Sequence, residues 1–104
     1  MNVRQISDWA LEDRLAIDGA PLVVLFLESG RRAGDVRRYE FRRVAREHAD
    51  VAFVEVDLVE NPSLAARYAI TAAPMVIVFV RGAEAARHGG GQLEETVGRV
   101  LGRC

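Results

Sequence analysis

Two six-residue segments of the chain, 22–27 and 75–80, consist entirely of apolar residues. Strands that are buried on both faces have this pattern, so 22–27 is predicted to be a central strand covered by helices. Residues 51–58 alternate apolar and polar positions before a second apolar patch, and they form the next predicted strand. Residues 83–88 follow the tight turn Arg81-Gly82 and are predicted to pair with 75–80 as a hairpin.

Apolar residues at helical spacing predict helices between and around these strands. The first helix is predicted to start at a Ser7-Asp8 cap and to run toward Ile17. After a polar turn over 28–34, the second helix runs to about His48. Its apolar stripe is expected to face the sheet and its arginines to lie outside.

The two remaining predicted helices are shorter. Asn61 is the predicted cap of the third helix, with Pro62 in its first helical position. The fourth helix follows the glycine run 89–91 and carries an apolar stripe between Leu93 and Leu101. The order α-β-α-β-α-β-β-α predicts an α/β fold with a central mixed β-sheet flanked by helices on both faces, in one domain over residues 1–104.

Charge and hydropathy exclude several classes of partner. The chain has 104 residues and a formal net charge of −1, so no global field recruits nucleic acid or an anionic membrane. No apolar run reaches the length needed to span a bilayer, and the first residues lack the core of a signal peptide, so we expect a cytoplasmic protein. His48 and His88 have no cysteine or paired carboxylate at ligand spacing, and we therefore expect no metal site and no cofactor.

Cys104 is the sole cysteine and the last residue. One cysteine cannot close a disulfide within the chain. A reactive thiol needs an electropositive, partly shielded setting, which a chain end rarely supplies. We expect Cys104 to be an incidental exposed thiol.

Several segments, taken in order, resemble the thioredoxin family. Val54-Glu55-Val56-Asp57 and the following 60–70 are similar to the family's strand and Glu-Asn-Pro helix. Thr71-Ala72-Ala73-Pro74-Met75 stands where the family has its cis-proline loop, and Gly90 stands where it has a later glycine. The resemblance implies the thioredoxin fold and a cis bond between Ala73 and Pro74.

The same resemblance places the family's Cys-x-x-Cys motif on Arg31-Arg32-Ala33-Gly34. It also places the buried aspartate of the preceding strand on Leu25. Without the two sulfur atoms a buried carboxylate would be a desolvation cost with no proton to move, and leucine packs better there. The resemblance therefore implies a redox-inactive domain that is not a dithiol enzyme.

The resemblance brings the 31–34 turn next to the Ala73-Pro74 loop, where family members bind extended peptide. Ala73 can pair with a partner through its backbone, which requires no particular side chain. The predicted binding residues are Arg31, Arg32, Ala33, Gly34, Ala73, Pro74 and Gly90. The expected partner is a protein or an extended peptide segment of acidic character. A bare scaffold, in which Pro74 serves only the turn geometry, is the alternative.

A second candidate site is the run of seven arginines between residues 31 and 46. The interleaved Asp35, Glu40 and Glu47 can pair with them locally, so a solvated helix face is preferred to an anion site.

The expected function is that of a redox-inactive adaptor, chaperone-like protein or assembly factor. Among thioredoxin-like proteins without the Cys-x-x-Cys motif are bacterial hydrogenase maturation accessories, which escort a subunit that bears a twin-arginine signal. The alternative is a thiol-redox or glutathione-handling enzyme of the superfamily. It would use the Arg31-Arg32 turn for the anion and Ser29 or Tyr39 as the nearby hydroxyl.

Overall fold

A mixed β-sheet of five strands forms the centre of the molecule in the computed structural model, which describes residues 3–5, 11, 20–89 and 93–102. The strands are β1 (Val3–Gln5), β2 (Leu22–Leu27), β3 (Ala52–Asp57), β4 (Met75–Val80) and β5 (Ala83–His88), and the helices are α1 (Arg32–Glu47), α2 (Ser63–Arg67) and α3 (Leu93–Leu101). Across the sheet the order is β1-β3-β2-β4-β5. β1, β3 and β2 run parallel, whereas β4 pairs antiparallel with β2 and with β5.

β2 is the central strand, as its apolar composition predicts. All six of its residues are buried, and they alternate between two separate cores on the two faces of the sheet. Leu64 of α2 packs into one core, while Phe41 of α1 and Leu93 of α3 pack into the other. The predicted α/β fold, with helices on both faces of a mixed sheet, is therefore confirmed.

β1 is a strand that the apolar pattern does not predict. It pairs in parallel with β3, from Val3 opposite Phe53 to Gln5 opposite Glu55. Three residues are too few to show a period of two, which explains why no strand signal can be read there. Of the helix predicted from Ser7-Asp8 toward Ile17, the structure describes Leu11, which is helical and fully buried. The other residues between 6 and 17 lie outside the described ones.

Two helices start at residues that differ from the predicted ones. α1 begins at Arg32 rather than after Gly34, with Arg31 at the N-cap. α2 begins at Ser63 with Pro62 at the N-cap, so the predicted cap at Asn61 is one residue too early. The Asn61 amide instead donates to the Asp57 carbonyl at 3.0 Å. Neither N-cap residue makes a side-chain cap hydrogen bond, and these starts therefore lack a cap signal in the sequence.

Glu55 of β3 is fully buried, and its carboxylate contradicts the expectation that all arginines of α1 lie outside. Arg42 donates to both Glu55 oxygens, at 2.9 and 3.0 Å, and Arg38 Nε lies 3.2 Å from Glu55 Oε1. Arg38 and Arg42 therefore reach past the edge of the helix toward the sheet. Arg43 and Arg46 are exposed, as a solvated face requires. A buried charge needs such partners because an unpaired carboxylate would be strongly destabilising.

We expect Glu55→Gln to lower the free energy of unfolding by about 1–3 kcal/mol, since it weakens charge-assisted hydrogen bonds while keeping the side-chain shape. Glu47→Gln, at an exposed position of α1, is the matched control and should change stability by less than about 0.5 kcal/mol. Urea unfolding of the three proteins measures both effects. Equal midpoints for Glu55→Gln and the wild type would show that this buried ion pair does not stabilise the fold.

Candidate functional site

The turn between β2 and α1 has a tight backbone geometry. Gly30 has a φ of +85°, in the left-handed region that glycine adopts without strain. The Arg31 N–H donates to the Glu28 carbonyl at 3.3 Å, and the Asp35 N–H donates to the Arg31 carbonyl at 3.2 Å. These hydrogen bonds reverse the chain and start α1 at the end of β2.

Asp57, the last residue of β3, joins this turn to the loop that follows β3. Its Oδ1 accepts hydrogen bonds from the Ser29 N–H at 3.2 Å and the Val59 N–H at 3.0 Å. Desolvation pushes the pKa of the Asp57 carboxyl upward, but the hydrogen bonds from Ser29 and Val59 and the charge of Arg38 outweigh it. The pKa of Asp57 therefore lies below its ordinary value, and the ionised carboxylate holds the two loops together.

The Ala73–Pro74 peptide bond is cis, and it precedes β4. The start of this loop is fixed by Arg87 of β5, which donates to the Tyr68 carbonyl at 2.6 Å and to the Ala69 carbonyl at 2.9 Å. Among the described residues, none makes a hydrogen bond to the N–H or the carbonyl of Ala73. The Ala73 backbone is thus available to an external partner.

Two grooves meet at this loop. The first, which we call the Val36 groove, has a volume of about 600 Å³ and is lined by Arg32, Ala33, Val36, Arg37, Glu40, Pro74 and Gly89. The second, which we call the Pro62 groove, has a volume of about 460 Å³ and is lined by Glu28, Leu58, Pro62, Ala65, Ile70, Thr71, Ala72 and Ala73. Consecutive residues of the loop, Ala73 and Pro74, therefore face different grooves.

The structure brings most of the predicted binding residues to this junction, in different roles. Arg32, Ala33 and Pro74 line the Val36 groove, and Ala73 lines the Pro62 groove. The Arg31 side chain is 73 % exposed and lies near Glu28, with 4.0 Å between Nε and Oε1.

The two predicted glycines differ from the rest of the set. Gly34 is buried, and a Cβ placed on it would lie 3.4 Å from the Glu28 carbonyl oxygen and 3.5 Å from Leu27 Cβ. The Gly34 backbone therefore packs closely against the end of β2 and does not line either groove. Gly90 lies outside the described residues, while the preceding Gly89 lines the Val36 groove.

Sequence reasoning missed Glu28, Val36 and Leu58 as residues of the grooves. Val36 is 65 % exposed although it is apolar, and it lies off the stripe that α1 turns toward the sheet. An apolar residue outside the buried stripe of a helix is a readable signal for a contact surface. Glu28 and Leu58 directly follow β2 and β3, and only the pairing of these strands places them at one edge.

The charges of the Val36 groove are unevenly compensated. Arg37 forms an ion pair with Glu40, whose other oxygen accepts the Leu93 N–H at 3.3 Å. Within the described part of the chain, Arg32 has no ion pair and is exposed. The groove therefore keeps one uncompensated positive charge, at the first residue of α1.

The hydroxyls required by the enzymatic alternative are placed apart. Tyr39 is 73 % exposed and lines a different groove, with Asp35, Arg38, Arg42 and Arg46. The Ser29 backbone and side chain are engaged with Asp57. Neither hydroxyl lines the Val36 groove, to which Pro74 belongs.

The two histidines lie in separate structural settings. His48 stacks on Phe53 with ring centroids 6.2 Å apart. His88 is buried, with Nδ1 3.0 Å from Thr96 Oγ1. In the described ranges, no group of three His, Cys, Asp or Glu residues could hold a metal ion. Over the same residues, no helix has the length and hydropathy needed to cross a bilayer. Cys104 lies outside the described residues.

Comparison with solved structures defines the class of fold. A designed protein superposes with a TM-score of 0.84 and 22 % identity, covering 97 % of this chain and 99 % of that chain. Chloroplastic thioredoxin z superposes with a TM-score of 0.81 and 24 % identity, covering 99 % and 94 % of the two chains. The chain therefore has the thioredoxin fold.

Sequence comparison gives the family. The thioredoxin family model matches residues 38–101, and the chain belongs to the thioredoxin family. A thioredoxin from Mycoplasma genitalium is 40 % identical over 48 residues, which are 46 % of this chain and 47 % of that protein. The match thus spans about half of the length of this curated relative. Since the chain has one cysteine, it holds no pair that could form an internal disulfide.

We expect the stabilising effect of Asp57 to depend on pH. Because its pKa is lowered from 3.8 in the folded state, its contribution is complete above about pH 4 and is lost as the pH falls through the folded-state pKa. The wild type should be more stable than Asp57→Asn at pH 7, and the difference should shrink as the pH falls below about 4. Thermal unfolding between pH 2 and 7 measures it. A difference that does not change with pH would mean that the carboxylate charge has no role in holding the two loops.

Proposed function

We propose that the chain binds an extended segment of a partner protein across the Ala73–Pro74 loop and does not catalyse thiol–disulfide exchange. The free backbone of Ala73, at the junction of two grooves, is the observation that supports this function. Backbone donors and acceptors at partly buried positions need partners, and an extended peptide supplies both groups in strand-like pairing.

The two grooves suit the side chains of such a segment. Successive side chains of an extended peptide point to opposite sides of its backbone. A segment paired with Ala73 would therefore place one side chain in the Val36 groove and its neighbour in the Pro62 groove. Val36 and Leu58 offer apolar contacts to these side chains, while the backbone of Ala73 sets the position of the segment.

The composition of the turn supports binding without redox chemistry. Exchange requires an attacking and a resolving thiol. By resemblance, the two cysteines of the family's motif fall on Arg31 and Gly34, which carry no thiol. The position that resemblance assigns to the family's buried aspartate holds Leu25, which has no carboxylate for proton transfer. Leu25 is fully buried in the apolar core beneath α1. The role of adaptor, chaperone-like protein or assembly factor follows from this proposal. A part in hydrogenase maturation and a cytoplasmic location stay predictions.

We expect the chain to show no reductase turnover with insulin and dithiothreitol above the uncatalysed rate, because it has a single sulfur nucleophile. The Cys104→Ser variant should give the same trace as the wild type. A rate above the blank that survives Cys104→Ser would contradict the non-redox proposal, and it would favour the enzymatic alternative.

We expect a neutral, capped peptide with the core Val-Ala-Val to shift the amide resonance of Ala73 in a ¹⁵N NMR titration. Two N-methylated versions of the peptide are compared with it. In one version the odd-numbered residues are methylated and in the other the even-numbered ones, so that each version lacks the backbone N–H donors on one side of the extended peptide. At least one version should bind about tenfold or more weakly, because it loses its hydrogen bond to the loop. Equal affinity for all three peptides would rule out backbone pairing.

A blocked groove provides the second arm of this test. Ala33 is exposed and lines the Val36 groove, so Ala33→Trp should reduce peptide affinity without changing the melting temperature. Ala85 is exposed on β5 and lines neither groove, which makes Ala85→Trp the matched control. Loss of binding in both variants would place the peptide elsewhere.

A further inference from the structure

We infer that the two grooves select the order of charges along the bound segment: a cationic side chain over the Pro62 groove and an anionic side chain over the Val36 groove. This inference rests on the proposed function, since it concerns the same loop and the same extended partner. It goes beyond a general preference for acidic segments, because it requires opposite charges on the two sides of Ala73.

The Pro62 groove carries a negative charge. Of its described lining residues, Glu28 is the ionisable one, and the others are apolar or neutral. The Glu28 side chain is 44 % exposed, so its carboxylate can be reached from the groove. Among the described residues, Arg31 is the cation paired with it, with 4.0 Å between Nε and Oε1 and with a side chain that is 73 % exposed. A contact this long and this exposed is weak, and it leaves the carboxylate able to accept a partner's cation.

The Val36 groove carries a positive charge. Arg37 and Glu40 compensate each other, and Glu40 is additionally held by the Leu93 N–H. Arg32 remains without an ion pair among the described residues. It stands at the first position of α1, a helix of 16 residues whose N-terminal end favours anions. A carboxylate on the partner segment would be attracted here both by the Arg32 guanidinium and by the N-terminal end of α1.

The position of the loop between these two charges makes the affinity depend on the order of charged residues along the bound segment. Glu28 and Arg32 lie in different grooves that meet at Ala73 and Pro74. If backbone pairing at Ala73 fixes the direction of the segment, one order of charges gives two attractions and the reverse order gives two repulsions. An exposed ion pair changes affinity by about 1.5- to fivefold. Because the two orders differ by two attractions and two repulsions, their affinities should differ by about fivefold or more at low ionic strength.

Three capped peptides test the inference by NMR titration at low ionic strength. The first has Lys before and Glu after the two-residue core Val-Ala, so that the two charged side chains point to opposite sides of the extended backbone. The second has Glu before and Lys after this core, and the third has Ser at both positions. One charged order should bind at least about fivefold tighter than the other, and the difference should shrink in 0.5 M salt. The double variant Glu28→Lys with Arg32→Glu should invert the preference.

Single variants show which residue of the protein interacts with each charged residue of the peptide. Glu28→Gln should remove the contribution of the peptide lysine, and Arg32→Gln that of the peptide glutamate. Arg31→Gln should increase the preference, because it frees Glu28 from its competing cation. Arg46→Gln, at an exposed arginine of α1 that lines neither groove, is the control and should leave the preference unchanged.

The outcomes separate this inference from the proposed function. Equal affinity for the two charged orders, with the neutral peptide still shifting Ala73, would overturn the charge selection and leave the proposed function standing. Absence of binding by all three peptides would overturn both. An order preference that persists unchanged in the Glu28→Lys and Arg32→Glu double variant would assign the selection to other residues and overturn the inference.

Discussion

Burial of β2 on both faces is the constraint on which the rest of the structure depends. A strand with six buried residues needs a neighbouring strand on each side and a helical layer above and below. β3 and β4 supply the neighbours, and the two cores supply the layers. The pairing of Leu27 with Asp57 and of Phe26 with Met75 then brings the end of β2, the end of β3 and the start of β4 to one edge of the sheet. Both grooves and the Ala73–Pro74 loop lie at this edge.

The buried ion pair of Glu55 shows how the fold accommodates a charge within this arrangement. Glu55 stands opposite Leu25 of β2, on the face that α1 covers. Two arginines one helical turn apart, Arg38 and Arg42, reach its carboxylate from the helix. The charge is tolerated because hydrogen bonds and opposite charges replace its water. Such a pair also positions α1 on the sheet, and with it the first residues of that helix at the grooves.

The turn that precedes α1 is held by contacts that need no sulfur atom. Gly30 turns the chain, Gly34 packs against Leu27, and Asp57 holds the turn to the neighbouring loop. These contacts involve backbone groups and a carboxylate, and none of them depends on a thiol. Among the described residues, none makes a hydrogen bond to the Ala73 backbone, and the grooves on its two sides contain Glu28 and Arg32. These are the groups on which the proposed peptide binding depends.

The fold class could be read from the sequence because its signals are local. Continuous apolar runs marked β2 and β4, and helical spacing marked the buried stripe of α1 and that of α3. β1 could not be read, since three residues hold no period, and its position is decided by pairing with β3. The predicted starts of α1 and α2 differ from the observed ones because neither helix has a side-chain cap that the sequence could reveal.

The sequence by itself determined the elements, the absence of a cysteine pair and, through resemblance, the neighbourhood of Arg32, Ala33, Ala73 and Pro74. Only the tertiary structure decided that Glu55 is buried beneath two arginines and that Glu28 and Val36 belong to different grooves. It also decided that, among the described residues, Arg37 has an ion-pair partner and Arg32 has none. The physical reason is that burial and charge pairing depend on groups far apart in the chain. Glu55 lies 13 residues from Arg42, and no local pattern records which residues the sheet and helices bring together.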